Sequence, residues 1–107
     1  MNDDMPLEQM EANAQEASAL LKAMSNQTRL MILCQLLHGE KSAGELDSLT
    51  SLSQSALSQH LAVLRENGLV QTRRESQSIF YSIEGEKPRA IIEALYSLFN
   101  TNEACCT

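Results

Sequence analysis

The stretch Ser53–Gly68, SQSALSQHLAVLRENG, carries the side chains best suited to recognising a ligand. At helical spacing, Gln54, Ser55, Ser58, Gln59 and Ala62 fall on one side, and Leu57, Leu61 and Leu64 form an apolar stripe on the other. A solvated helix face usually carries Lys and Glu. A face of uncharged amides and hydroxyls suits the base edges of a DNA groove, because those groups both donate and accept hydrogen bonds. The competing reading is an ordinary exposed face of low charge. His60, next to Gln59, points either inward or toward a phosphate. No activating base held by a carboxylate accompanies Ser55 or Ser58, so nucleophilic catalysis has no support. The four glycines are scattered at caps and turns, not gathered into a phosphate-cradling loop.

The elements that must hold this face can be read around it. The Ser53 hydroxyl is placed to cap the first turn, and Gly68 to close the last in a left-handed conformation. Two strand-like runs follow, Leu69–Arg73 and Ser78–Ile83, with Ile79, Tyr81 and Ile83 alternating against Phe80 and Ser82. Arg74–Gln77 is expected to form the hairpin tip. Lacking Asn-Gly or Asp-Gly, it predicts a loop longer than two residues, with Arg73 and Arg74 at the tip. A helix feeding a basic hairpin is the winged helix-turn-helix plan, in which the helix enters the major groove and the wing touches backbone or minor groove.

Upstream, Leu7, Met10, Ala14, Ala17, Leu21 and Met24 recur at steps of three and four, predicting a helix over about Leu7–Met24. Its stripe lies either on its own core or against a partner subunit. Asn26 caps a second helix, about Gln27–His38, with Leu30, Leu33, Cys34 and Leu37 inward. Ser42 and Glu45 form a capping box for a short helix, about Ala43–Leu49. Thr50–Leu52 turns into the Ser53–Gly68 helix. Pro88 suits the first turn of a last helix, about Lys87–Phe99, whose apolar residues exceed one stripe. The fold class is therefore mainly α with a small β-hairpin wing (α+β): four helices, two strands and a fifth helix. The domain is expected to span residues 7–99, between a disordered segment 1–6 and a flexible tail 100–107 that holds Cys105 and Cys106.

Composition bounds the function. The 107 residues form one domain with a modest, mostly aliphatic core, since only two Phe, two Tyr and no Trp are present. The net charge of −6 excludes non-specific nucleic-acid binding by the whole surface. The acid is concentrated in residues 1–50, with eight acids and three bases, against six acids and five bases in residues 51–107. Three of those five bases are Arg65, Arg73 and Arg74, in or beside the proposed DNA face. No apolar leader opens the chain, and no run approaches the ~18 apolar residues of a membrane span. Three cysteines in such a chain point to reduced thiols and a cytoplasmic protein, not to a disulfide framework.

The runs LLKAMSNQTRLMILCQLL, SAGEL, LSQSALSQHLAVLRENGLV and TRRESQSIFYSI resemble an ArsR/SmtB-type winged helix-turn-helix transcriptional regulator over about Ala19–Phe99. Within that family the chain looks closest to the HlyU/BigR/SqrR branch, whose members work without metal and answer to reactive sulfur or oxidants. The resemblance implies a homodimer built from the first and last helices, binding an imperfect palindrome of double-stranded DNA. It implies that Gln54, Ser55, Ser58 and Gln59, with Arg73, Arg74 and Gln77 of the wing, face DNA; His60 and Arg65 complete the candidate set. No cofactor is implied.

Founding members of the family sense metals. An arsenic or lead site needs a Cys-x-Cys pair in the short third helix, where this chain has Glu45, Leu46, Asp47 and Ser48. A zinc or nickel site needs Asp and His along the last helix, which offers Glu93 and no His. Cys34 and His38, four residues apart, with Cys105 or Cys106, are the remaining candidate ligands. In the thiol-sensing branch a Cys occupies the position of Cys34 within a similar ILC stretch, and its partner follows the last helix directly. Here Cys105 and Cys106 come five and six residues later than that. The resemblance thus implies redox or persulfide control through Cys34 with Cys105 or Cys106. The alternative is a regulator or anti-silencer without chemical input, in which Cys34 is a small core hydrophobe. A metal sensor, a thiol-based enzyme and a protein–protein adaptor are further alternatives; no Cys-x-x-Cys supports the enzyme.

Overall fold

The computed structural model describes residues 5–99. The expectations for residues 1–4 and for the tail from 100 on, including Cys105 and Cys106, lie outside the described residues. The elements run α1 (Leu7–Met24), α2 (Gln27–Leu37), β1 (Lys41–Ser42), α3 (Ala43–Ser48), α4 (Gln54–Glu66), β2 (Val70–Glu75), β3 (Ser78–Ile83) and α5 (Glu86–Phe99). None of these helices is long and apolar enough to cross a membrane.

Local chemistry starts the helices where the sequence predicts. Asn26 Oδ1 accepts from the Arg29 amide at 3.0 Å and caps α2. At α3 the capping box closes both ways: the Glu45 amide donates to Ser42 Oγ at 3.1 Å, and the Ser42 amide donates to Glu45 Oε1 at 2.8 Å. That amide favours the charged carboxylate and holds the Glu45 pKa below its ordinary value. Gly68 follows α4 at φ +74°, a conformation costly for a residue with a Cβ, and so turns the chain into β2.

Helix α2 is the hub, packing against α1, α4, α5 and β3. Ile32, Leu33, Cys34 and Leu36 are all buried, so α2 is covered around more of its circumference than the predicted face. Leu57, Leu61 and Leu64 of α4 join this core together with Leu69, Val70, Ile83 and Ile92. Each such aliphatic side chain contributes about 1.5–3 kcal/mol through burial. Helix α1 behaves differently. Only Ala23 and Met24 at its end are buried, whereas Leu7 and Leu21 are 70% and 53% exposed. Leu98 and Phe99 at the end of α5 are also bare.

Two expectations are corrected. The wing has three strands, in the order β1-β3-β2 and all antiparallel. Lys41 pairs with Tyr81 and Ser42 with Phe80. Two residues carry no alternation to read, and this strand exists because β3 offers it an edge. The hairpin tip is also shorter than expected. Pairing continues to Glu75 opposite Ser78, leaving only Ser76 and Gln77 in the turn. Ser76 takes φ +57°, a left-handed conformation that Gly or Asn would have advertised. Arg73 and Arg74 therefore sit within β2, not at the tip. Element ends at His38 and Glu86 differ from the expected ones by a single residue, the ordinary scatter of frayed termini.

Candidate nucleic-acid interface

The candidate recognition surface begins at the N-terminus of α4. Ser53 Oγ accepts from the Ala56 amide at 3.2 Å and lies 3.3 Å from Ser55 Oγ. No acid occupies the first turn, so the positive end of the helix dipole is left open to an anion. Burial of the leucine stripe fixes the rotation of α4. Gln54, Ser55, Ser58, Gln59 and Ala62 are consequently exposed, as is Arg65 in the last turn. Helix α3 crosses before it, joined by residues 49–53, and Leu46 anchors α3 in the core.

His60 stands apart from this face. It is half-buried, and its Nδ1 accepts from Arg29 Nη1 of α2 at 3.3 Å. Arg29 also donates through Nε to the Ala23 carbonyl at the end of α1. One guanidinium thus ties α1, α2 and α4 together, and His60 is its contact on the recognition helix.

The two wing arginines part company because successive strand residues face opposite sides of a sheet. Arg73 makes a bidentate pair with Glu40, Nε to Oε2 and Nη2 to Oε1, both 2.7 Å, and a further contact to Glu75 Oε2 at 3.1 Å. Its guanidinium lies 4.6 Å from the centroid of the Phe80 ring. This arrangement lowers the Glu40 pKa, chiefly through the hydrogen bonds from Arg73, and raises that of Arg73. Arg74 is exposed and has no ion pair among the described residues. Gln77 is exposed at the turn. Glu40 and Phe80 were not legible as partners of Arg73: Glu40 is 33 residues away in the chain, and no local signal joins them.

Known proteins share this architecture. Residues 26–72 match the family described as "Bacterial regulatory protein, arsR family". The transcriptional activator HlyU of Vibrio cholerae is 55% identical over 95 residues, which cover 89% of this chain and 88% of that one. This chain belongs to the ArsR family. The biofilm growth-associated repressor of Agrobacterium fabrum is 47% identical over 96 residues, covering 90% and 82% of the two chains. Reduced HlyU from Vibrio cholerae superposes with a TM-score of 0.83 at 55% identity, over 87% of this chain and 98% of that one. A homodimeric winged helix-turn-helix DNA-binding domain from Mycobacterium bovis superposes at 0.76 with 26% identity, over 91% and 89%.

As an ArsR-family member of HlyU/BigR type, the chain is a DNA-binding transcriptional regulator and not an enzyme. Among the described residues no three His, Cys, Asp or Glu side chains gather to hold a metal ion. His38 packs edge-to-face on Tyr96, with ring centroids 6.3 Å apart. Cys34 is 7% exposed and lines a cavity of about 420 Å³ between α2 and α5. The walls are Leu30, Met31, Ile92, Leu95 and Phe99, with Gln27 at one end. Phe99, on the rim of this cavity, is the last described residue.

Proposed function

We propose that the protein is a homodimeric, metal-independent regulator acting in the cytoplasm, whose affinity for an imperfect palindrome falls when Cys34 is oxidised or persulfidated together with Cys105 or Cys106. Residues 7–99 are the folded unit, and the flanking segments serve as a lead-in and a thiol-bearing tail. Gln54, Ser55, Ser58 and Gln59 read bases. Arg65, Arg74 and Gln77 approach the backbone, with Arg73 and His60 beside them at the edge of the face.

The observation that carries this reading is the position of Cys34 in the cavity between α2 and α5 that Phe99 also lines. Cys105 lies six positions beyond Phe99, and an extended chain of that length reaches about 20 Å. The tail can therefore bring a thiol to Cys34 within the roughly 7 Å Cα separation that a disulfide tolerates. In that reaction the Cys34 thiolate attacks a sulfane sulfur of a polysulfide, and the shortened polysulfide leaves. The tail thiolate then attacks the resulting persulfide. A disulfide forms and sulfide departs, so two electrons pass to the oxidant and both thiol protons are released. Closure pulls on α2 and α5.

Support for the dimer comes from the bare stripe of α1 and the exposed end of α5. In such a dimer the reading heads stand about 34–36 Å apart, one turn of DNA. A shift of α2 against α5 changes that spacing, and a coupling of about 1–3 kcal/mol lowers affinity 5- to 150-fold.

A second reading is favoured by the burial of Cys34 among leucines: the residue is packing, and the regulator takes no chemical input. The test is fluorescence anisotropy on the DNA upstream of its own gene, with chelator throughout, before and after polysulfide. Binding that is lost on treatment, restored by reductant and unresponsive in Cys34→Ser supports the switch. Binding indifferent to polysulfide in the wild type refutes it and leaves the second reading.

A further inference from the structure

We infer that Arg73 and Glu40 form a strut that sets the angle of the wing, and that Arg74 alone supplies the wing's cation to DNA. This deepens the DNA face proposed above and rests on it. The geometry is unusual in its reach. Arg73 on β2 is paired with Phe80 on the central strand β3, and Phe80 is paired in turn with Ser42 on β1. Glu40 lies just beyond β1. The Arg73 side chain must therefore cross the width of β3, and two strand spacings are about 10 Å. It does so along the Phe80 ring, which supports the guanidinium 4.6 Å from its centroid.

The far end of this tie is not arbitrary. Glu40 is two residues before Ser42, the capping residue of α3. The strut thus joins β2, which carries the wing tip, to the start of the helix-turn-helix. With its near end at Arg73 and its far end two residues from a helix cap, it limits rotation of the hairpin about the body. Planar, bidentate pairing gives it directional stiffness that a single point contact lacks.

The same contacts remove Arg73 from phosphate binding. Three of its N–H groups are occupied by carboxylates, and one positive charge stands between two negative ones. Its charge is already balanced by these carboxylates, so a phosphate would compete with Glu40 for it. Arg74, its neighbour on the opposite sheet face, has no such competitor among the described residues.

The test is the salt dependence of binding to the same upstream duplex. Arg74→Ala should lower the log–log salt slope by about 0.9 for each Arg74 engaged. Arg73→Gln and Glu40→Gln should each weaken binding about two- to fivefold with the slope unchanged, because a freer wing populates the binding-competent angle less often. The double variant should be no weaker than either single one. All these side chains are exposed, and unchanged far-UV circular dichroism confirms folded variants. A slope reduced in Arg73→Gln as much as in Arg74→Ala overturns the strut, since Arg73 then touches phosphate. Tighter binding with a steeper slope in Glu40→Gln overturns it also, because Glu40 is then a competitor of DNA. Unaltered affinity in Arg73→Gln has the same consequence. An Arg74→Ala slope equal to wild type overturns the inference too, since Arg74 is then not the wing's cation, whereas a wild-type protein that binds no duplex overturns the DNA face itself.

Discussion

Replacing Ser53 by Ala isolates what one hydroxyl contributes to the recognition helix. Ser53 is exposed, so its truncation opens no cavity and removes no buried area. What is lost is the 3.2 Å bond from the Ala56 amide, together with the contact to Ser55 Oγ. Loss of such a cap costs about 1 kcal/mol. For a domain of this size that corresponds to a fall of about 4–8 °C in melting temperature. Protomer concentration must be held fixed, because a dimer's melting depends on it. Ser51→Ala is the control. Ser51 is also exposed, and it makes no side-chain hydrogen bond among the described residues, so its melting temperature should stay within about 2 °C of wild type. Ser53→Asp keeps an acceptor for the Ala56 amide and should melt near wild type. It places a negative charge beside the DNA face, however, and should bind DNA several-fold more weakly with faster exchange. Stability and recognition are thereby separated at a single position. A melting temperature unchanged in Ser53→Ala would refute the capping argument, and undiminished DNA binding by Ser53→Asp would refute the placement of this helix end against DNA.

Two further predictions follow from local geometry. Ser76 holds φ +57° at the hairpin turn, which Gly adopts without a Cβ penalty of about 1–2 kcal/mol; Ser76→Gly should raise the melting temperature by a few degrees, and a fall would show that the turn tolerates Ser without strain. Glu45 has a folded pKa below its ordinary value of 4.5, so its contribution to stability is present above that pH and is lost as pH falls through the lowered value. Melting between pH 5 and 3 should therefore decline less steeply in Glu45→Gln than in the wild type, and parallel profiles would remove Glu45 from the acid response.

Helix α2 connects the cavity at Cys34 to α4. Its core side of Leu33 and Cys34 faces the centre of the domain, while Arg29 at its start holds both the end of α1 and His60 of α4. A displacement of α2 therefore reaches α4 through a polar contact as well as through packed leucines. This gives His60 a role as the inner anchor of the recognition helix.

The helices were legible in the chain because each is announced within a few residues. Asn26, Ser42 with Glu45, and Ser53 name three helix starts, and leucines at steps of three and four name the buried sides. Burial of Leu57, Leu61 and Leu64 then forces Gln54, Ser55, Ser58 and Gln59 outward, so the polar face proposed to read DNA is determined by the same pattern that fills the core. Such short-range rules depend on a helix's own periodicity and on bonds that span only three or four residues.

Tertiary structure alone decided the rest. Strand β1 is too short to carry a pattern and exists by pairing with β3. Arg73 reads as a second basic residue of the wing, yet it is turned across the sheet to Glu40, whereas its neighbour Arg74 remains open. His60 has a place in the sequence among the residues proposed to read bases, but the rotation of α4 brings it against Arg29. In each case the deciding partner is distant in the chain, at 33 residues for Arg73 and 31 for His60. Charge and hydrogen-bonding capacity belong to a residue type, but whether they are spent inside the protein or offered to DNA depends on which elements fold beside it.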